Sequence, residues 1–167
     1  MASLVEVVLN PGDLFFGGAD TRVHTLLGSC VSVTIWHPQR LLGGMCHYML
    51  PRQRKPGAAL DGRYADHAIR ILLREVERHG TAPVDYLATM YGGGNQFLPD
   101  RRRPGSRPNV AHDNIEAGLR LLDRYRFPLV HTDLGGTGPR RLTFDIATGE
   151  VSLASDARRS LPGGRRP

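Results

Sequence analysis

Apolar and polar positions alternate most cleanly over residues 31–36, where Val31, Val33 and Ile35 are interleaved with Ser32 and Thr34. A period of two predicts a half-buried strand. The turn His37-Pro38-Gln39-Arg40 separates it from a second apolar run, residues 41–48, and the two are expected to form a hairpin. Upstream, Val5–Leu9 reads as a strand closed by Asn10-Pro11-Gly12, and residues 22–26 read as a strand running into Gly28-Ser29-Cys30. Residues 63–79 carry one apolar stripe at helical spacing (Tyr64, Ala68, Ile69, Leu72, Leu73, Val76), with Gly80 as the stop. Residues 84–91 predict a strand ending at Gly92-Gly93-Gly94, and 96–108 a long loop. Residues 113–125 predict a second helix with Ile115, Leu119 and Leu122 inward. Strands are expected at 129–132, 141–145 and 151–153, the last two joined at Thr148-Gly149. Strands, helix, strand, helix, strands is the order of an α+β fold, and 167 residues suit one domain.

The hairpin matters because of what stands at its ends. Cys30 opens one strand and His47 closes the other, and in an antiparallel pair those two ends lie side by side. A Gly-Ser-Cys turn exposes a thiol, and a histidine beside it can act as its base. A cysteine before a strand is, taken alone, more often a buried small hydrophobe. Cys46, next to His47 in the same strand, must face the other way and reads as packing. Among the other histidines, His24 is the main rival base by its closeness in sequence, while His37 and His79 read as solvated.

Composition narrows the class. No run is long and apolar enough to span a bilayer, and the first residues, with Glu6 in their apolar stretch and no basic start, do not read as a signal peptide. The expected compartment is the cytoplasm, with both cysteines as thiols. They form no CxxC pair, so no structural metal is expected. The net charge is +6, and Lys55 is the only lysine. Arginines gather at Arg101, Arg102, Arg103 and Arg107, and again at Arg158, Arg159, Arg165 and Arg166. They read first as solvated surface and second as steering toward an acidic partner. No aromatic residue interleaves with them, which argues against nucleic acid. Gly92-Gly93-Gly94 and Gly135-Gly136 lack a Walker lysine and the GxGxxG pattern, so nucleotide binding is not expected. They read instead as tight turns near the site that let a substrate helix approach. The expected domain covers 1–155, followed by a basic Pro/Gly-rich tail over 156–167 that is expected to be disordered.

Several motifs carry a family resemblance. LGSC at 27–30, GGM-x-H-x-MLP ending at Pro51, RYADHAI at 63–69, YGGGNQ at 91–96, Asn114-Ile115, and DLGGTGPRRLTFDIATGEV at 133–151 follow in order. Together they resemble the CheD family of chemoreceptor glutamine deamidases. Pro139 departs from that pattern, where a glycine is usual before Arg140. The resemblance implies a layered, mixed-sheet core with two helices packed outside. It implies Cys30 as nucleophile, His47 as base and Thr25 as the hydroxyl that orients the histidine; Thr21 remains open, because this short segment aligns with a shift. The implied reaction converts receptor glutamines to glutamate through a Cys30 thioester, with no cofactor. The implied substrate is the cytoplasmic coiled coil of a chemoreceptor, and a CheC-type phosphatase is an implied partner. A regulator of that phosphatase and a receptor methyl-ester hydrolase are the alternatives.

Overall fold

The structure, a computed structural model, describes residues 3–95 and 109–155. The loop expected over 96–108, both arginine clusters and the tail lie outside the described residues.

Among the described residues nine strands form two sheets. β1 (Val5–Leu9), β3 (Thr21–Leu27), β8 (Arg140–Asp145) and β9 (Val151–Ser155) make a four-stranded sheet in the order β1-β3-β8-β9. β2 (Leu14–Gly17), β5 (Leu42–Tyr48), β4 (Val31–His37), β6 (Leu87–Gly92) and β7 (Leu129–Leu134) make a five-stranded sheet in that order. Both are mixed, since β1–β3 and β6–β7 pair in parallel and the remaining pairs are antiparallel. The helices α1 (Ala65–Arg78) and α2 (Val110–Arg124) cover one face of the five-stranded sheet. The four-stranded sheet covers its other face. The fold is thus α+β in three layers, with one apolar core on each side of the larger sheet. Among the described residues no helix is long and apolar enough to cross a membrane.

The expected hairpin forms, with Val31 opposite Tyr48 and Ser32 opposite His47. Its burial differs from the alternation reading. Val33 and Ile35 face the helices, but Ser32 and Thr34 on the other face are also buried, at 0% and 1% exposed. A period of two marks which residues share a face; it does not say whether a second sheet will cover the polar one. Two glycines make room for this double burial. A Cβ on Gly43 would lie 2.9 Å from the Phe144 ring, and one on Gly44 2.9 Å from Leu72 and from Phe16. Large groups therefore press on both faces of β5, where only glycine fits.

Two further differences have local causes. β2 has no counterpart in the sequence reading, because Leu14-Phe15-Phe16 is short and does not alternate; pairing with β5 makes it a strand. α2 begins at Val110, where the Asn109 side chain caps it by accepting from His112 N–H at 3.2 Å. Its buried face is Ala111, Asn114, Ala117, Gly118, Leu121 and Leu122, while Ile115 and Leu119 lie at the margin. Small residues at the contact let the helix lie close to the sheet.

Candidate active site

Cys30 sits half-buried on the bend between β3 and β4. Its main chain is fixed by the end of β6, where Gly93 N–H donates to Cys30 O at 2.9 Å and Gly94 N–H to Gly28 O at 3.1 Å. The glycine run answers to this contact. Gly92 has φ +108, and a Cβ there would collide with the Cys30 carbonyl oxygen. The close approach that demands glycine here is made by the chain's own bend.

His47 is buried, at 1% exposed, and faces the gap between the sheets. Its backbone is clamped by the turn after β1: Gly12 N–H donates to His47 O at 2.7 Å, and His47 N–H to Asp13 O at 3.1 Å. From the opposite sheet, Thr25 Oγ1 lies 2.7 Å from His47 Nδ1. The Thr25 hydroxyl donates its proton to Leu9 O at 2.8 Å. Its oxygen is thereby left to accept, so the imidazole carries its proton on Nδ1 and presents a bare lone pair at Nε2. The strand 9–13 region, read from sequence only as a strand and turn, thus supports both Thr25 and His47.

Thr21 is also buried, but its hydroxyl bonds to the Asp20 carboxylate at 3.1 Å, away from the histidine. His24 projects from the opposite face of β3, where its ring bonds to Thr143 Oγ1 at 3.0 Å and to Glu6. Cys46 faces the helices in the other core. Asn114, fully buried on α2, donates from its side-chain amide to Met49 O at 2.8 Å, and its backbone carbonyl accepts from the Tyr48 hydroxyl at 2.6 Å. It ties the helix to the chain just past His47. Asp133 pairs with Arg140 at 3.1 Å behind the glycine turns.

Cys30 and His47 line one pocket of about 410 Å³, together with Leu26, Gly28, Ser29 and Asn95. No hydrogen bond joins the thiol to Nε2, which has no partner in the structure. Burial pushes the Cys30 thiol above its ordinary 9.0. Burial also pushes His47 down from 6.5 to about 4, against a smaller upward pull from Asp13. At neutral pH the resting pair is therefore a thiol and a neutral imidazole. Cys46, fully enclosed, is driven up to about 12. Among the described residues no three His, Cys, Asp or Glu side chains converge as metal ligands.

Known proteins give the chain its family. A family profile described as CheD chemotactic sensory transduction matches residues 49–155, beginning just past His47. The "Probable chemoreceptor glutamine deamidase CheD" of Pseudomonas fluorescens (strain SBW25) is 49% identical over 146 residues, 87% of this chain and 82% of that protein. The "Probable chemoreceptor glutamine deamidase CheD 3" of Dechloromonas aromatica (strain RCB) is 44% identical over 154 residues, 92% of this chain and 89% of that protein. Among solved structures, the Bacillus licheniformis hypothetical protein YfiH aligns with a TM-score of 0.48 at 15% identity, over 72% of this chain and 50% of that one. At 44–49% identity along nearly the whole length of both relatives, the chain belongs to the CheD family.

Proposed function

We propose that this protein deamidates glutamine side chains of chemoreceptors, with Cys30 as nucleophile, His47 as base and Thr25 as the residue that orients the base. The observation that carries this reading is the Leu9–Thr25–His47 relay, which leaves Nε2 as an acceptor in the pocket that holds Cys30. Family membership supplies the substrate class. The proposed place of action is the cytoplasm, on the helical signalling region of the receptors, and binding of a CheC-type phosphatase is part of the same proposal.

The chemistry follows from the groups. As a carboxamide enters the pocket, Nε2 takes the thiol proton and sulfur attacks the amide carbon. The backbone N–H of Cys30 and its neighbours on the bend serve the developing oxyanion. The proton on Nε2 then passes to the leaving nitrogen, ammonia departs, and a thioester remains on Cys30. Water, deprotonated at Nε2, converts it to the carboxylate and regenerates the thiol.

The direct test is incubation with a receptor cytoplasmic fragment. The expected products are ammonia and the intact-mass shift of amide-to-acid conversion. Methanol release from a methylated fragment, with no ammonia from an amidated one, would assign the site to ester hydrolysis instead.

Two further outcomes bear on the mechanism. A neutral resting pair means that activity does not depend on a preformed thiolate. Protonation of His47 removes the base, so the acid limb of kcat/KM is expected near pH 4 rather than 6.5. Alkylation of Cys30 by iodoacetamide should climb as pH rises toward and beyond 9, without a plateau in the acid range. A plateau extending down to acid pH would mean an ion pair and would overturn the neutral-pair mechanism. Thr25→Val keeps the shape and removes the orienting oxygen. It is expected to lower kcat by about 10- to 100-fold while KM changes little, measured by ammonia release.

A further inference from the structure

Two buried polar atoms at the site have no hydrogen-bond partner, Ser32 Oγ and His47 Nε2. They belong to residues directly opposite one another in the β4–β5 pair. Side chains opposed in this way have Cβ atoms about 4.5–5.5 Å apart. Ser32 is 0% exposed and His47 1%. The other polar side chains on this face of β4 are satisfied: Thr34 bonds to Thr89, and Trp36 Nε1 donates to Ile146 O at 2.8 Å. A hydroxyl left unpaired in a core costs stability, which alanine at the same place would not. Cys30 lies two residues before Ser32, at the margin of the same inter-sheet cluster.

We propose that Ser32 Oγ and His47 Nε2 together hold the water that hydrolyses the thioester on Cys30. This rests on the deamidase reading. Once Cys30 is acylated, its sulfur has no proton, and Nε2 faces no donor until water supplies one. The acyl chain then occupies the pocket that Cys30 and His47 line, so the water is to be held on the buried side of the imidazole, toward the fully enclosed Ser32 opposite it. A water there donates one hydrogen to Nε2 and bonds through its remaining sites to the Ser32 hydroxyl, which both donates and accepts. Its oxygen adds to the thioester carbonyl carbon as Nε2 takes the proton. The tetrahedral intermediate collapses by breaking the C–S bond. Sulfur leaves with the electron pair and recovers the proton from Nε2, and the glutamate side chain departs.

Acylation does not use this water, which makes the role separable. In Ser32→Ala, kcat is expected to fall about 10- to 100-fold, the scale of a misplaced reactant. kcat/KM, which reports acylation, should stay near wild type, so KM falls in proportion to kcat. Intact-mass analysis during turnover should find the receptor fragment joined to the enzyme as a thioester. Hydroxylamine, a stronger nucleophile than water, should restore turnover with hydroxamate as product. The thermal midpoint of Ser32→Ala should stay near that of wild type, because the change removes a hydroxyl that has no protein partner. Ser32→Gly, which also lacks the hydroxyl, should repeat the kinetic split. An unchanged kcat in Ser32→Ala, or an equal fall of kcat and kcat/KM with no thioester accumulating, overturns the proposal. Wild-type protein that releases no ammonia would instead remove the deamidase reading itself.

Discussion

Replacing Cys30 by alanine is expected to abolish deamidation, by at least about 10⁴-fold in kcat, while the protein stays folded. The bond that forms in the first step is made by this sulfur. The fold should be indifferent to the change. Cys30 is half-buried at the rim of the inter-sheet core, and its main-chain bond from Gly93 does not involve the side chain. Cys46→Ala is the control with the opposite profile. That thiol lies in the helix-side core, fully buried, so its loss leaves a cavity and costs about 1 kcal/mol of stability while activity remains. Ammonia release and urea-unfolding midpoints on both variants separate the two roles. A folded Cys30→Ala protein with wild-type turnover would sink the thioester mechanism.

The second large effect is expected at His47. Asparagine there can keep a donor toward Thr25 but has no group at the place of Nε2. His47→Asn should therefore hold its fold and lose about 10³-fold in kcat/KM. A second readout makes this specific. The resting thiol is not ion-paired, so the rate of Cys30 alkylation at neutral pH should change little in His47→Asn. A large fall in alkylation alongside the fall in activity would mean that His47 maintains a thiolate at rest, contrary to the depressed basicity that burial imposes on it.

How far the sequence carries differs from one residue to the next. The pairing of β4 with β5 was legible, because alternation and the turn at 37–40 specify a hairpin, and a hairpin fixes which ends meet. His24, kept as the rival base, is separated from the site by a rule of the same kind: Thr25 and His24 are neighbours in a strand and face opposite ways, and the His24 ring bonds to Thr143 and Glu6. The choice between Thr21 and Thr25 was not legible. They are four residues apart and share a face, so periodicity treats them alike; only the placement of one sheet over the other brings Thr25 to the ring. Ser32 was hidden for a related reason. A polar residue in an alternating strand reads as solvent-facing, and the covering sheet is assembled from segments more than a hundred residues apart in the chain, such as β3 and β8. The inner face of α2 was legible only in part: Leu122 is buried and Ile115 and Leu119 pack at the margin as expected, but the small residues that close helix–sheet contact selects, such as Ala117 and Gly118, carry no apolar signal to mark them.

The base and the oxygen that orients it belong to different sheets. Their 2.7 Å separation is held by the packing of two apolar surfaces and by the 9–13 segment, where Leu9 pairs with Thr25 and the Gly12 and Asp13 main chain bonds to that of His47. Sliding one sheet by a single residue, about 3.3 Å along a strand, would carry Thr25 off the ring while leaving every strand and helix intact. Turnover is consequently a stricter gauge of native alignment than any measure of secondary structure, since a preparation can keep its full helix and strand content and still have lost the registration between layers on which proton transfer depends.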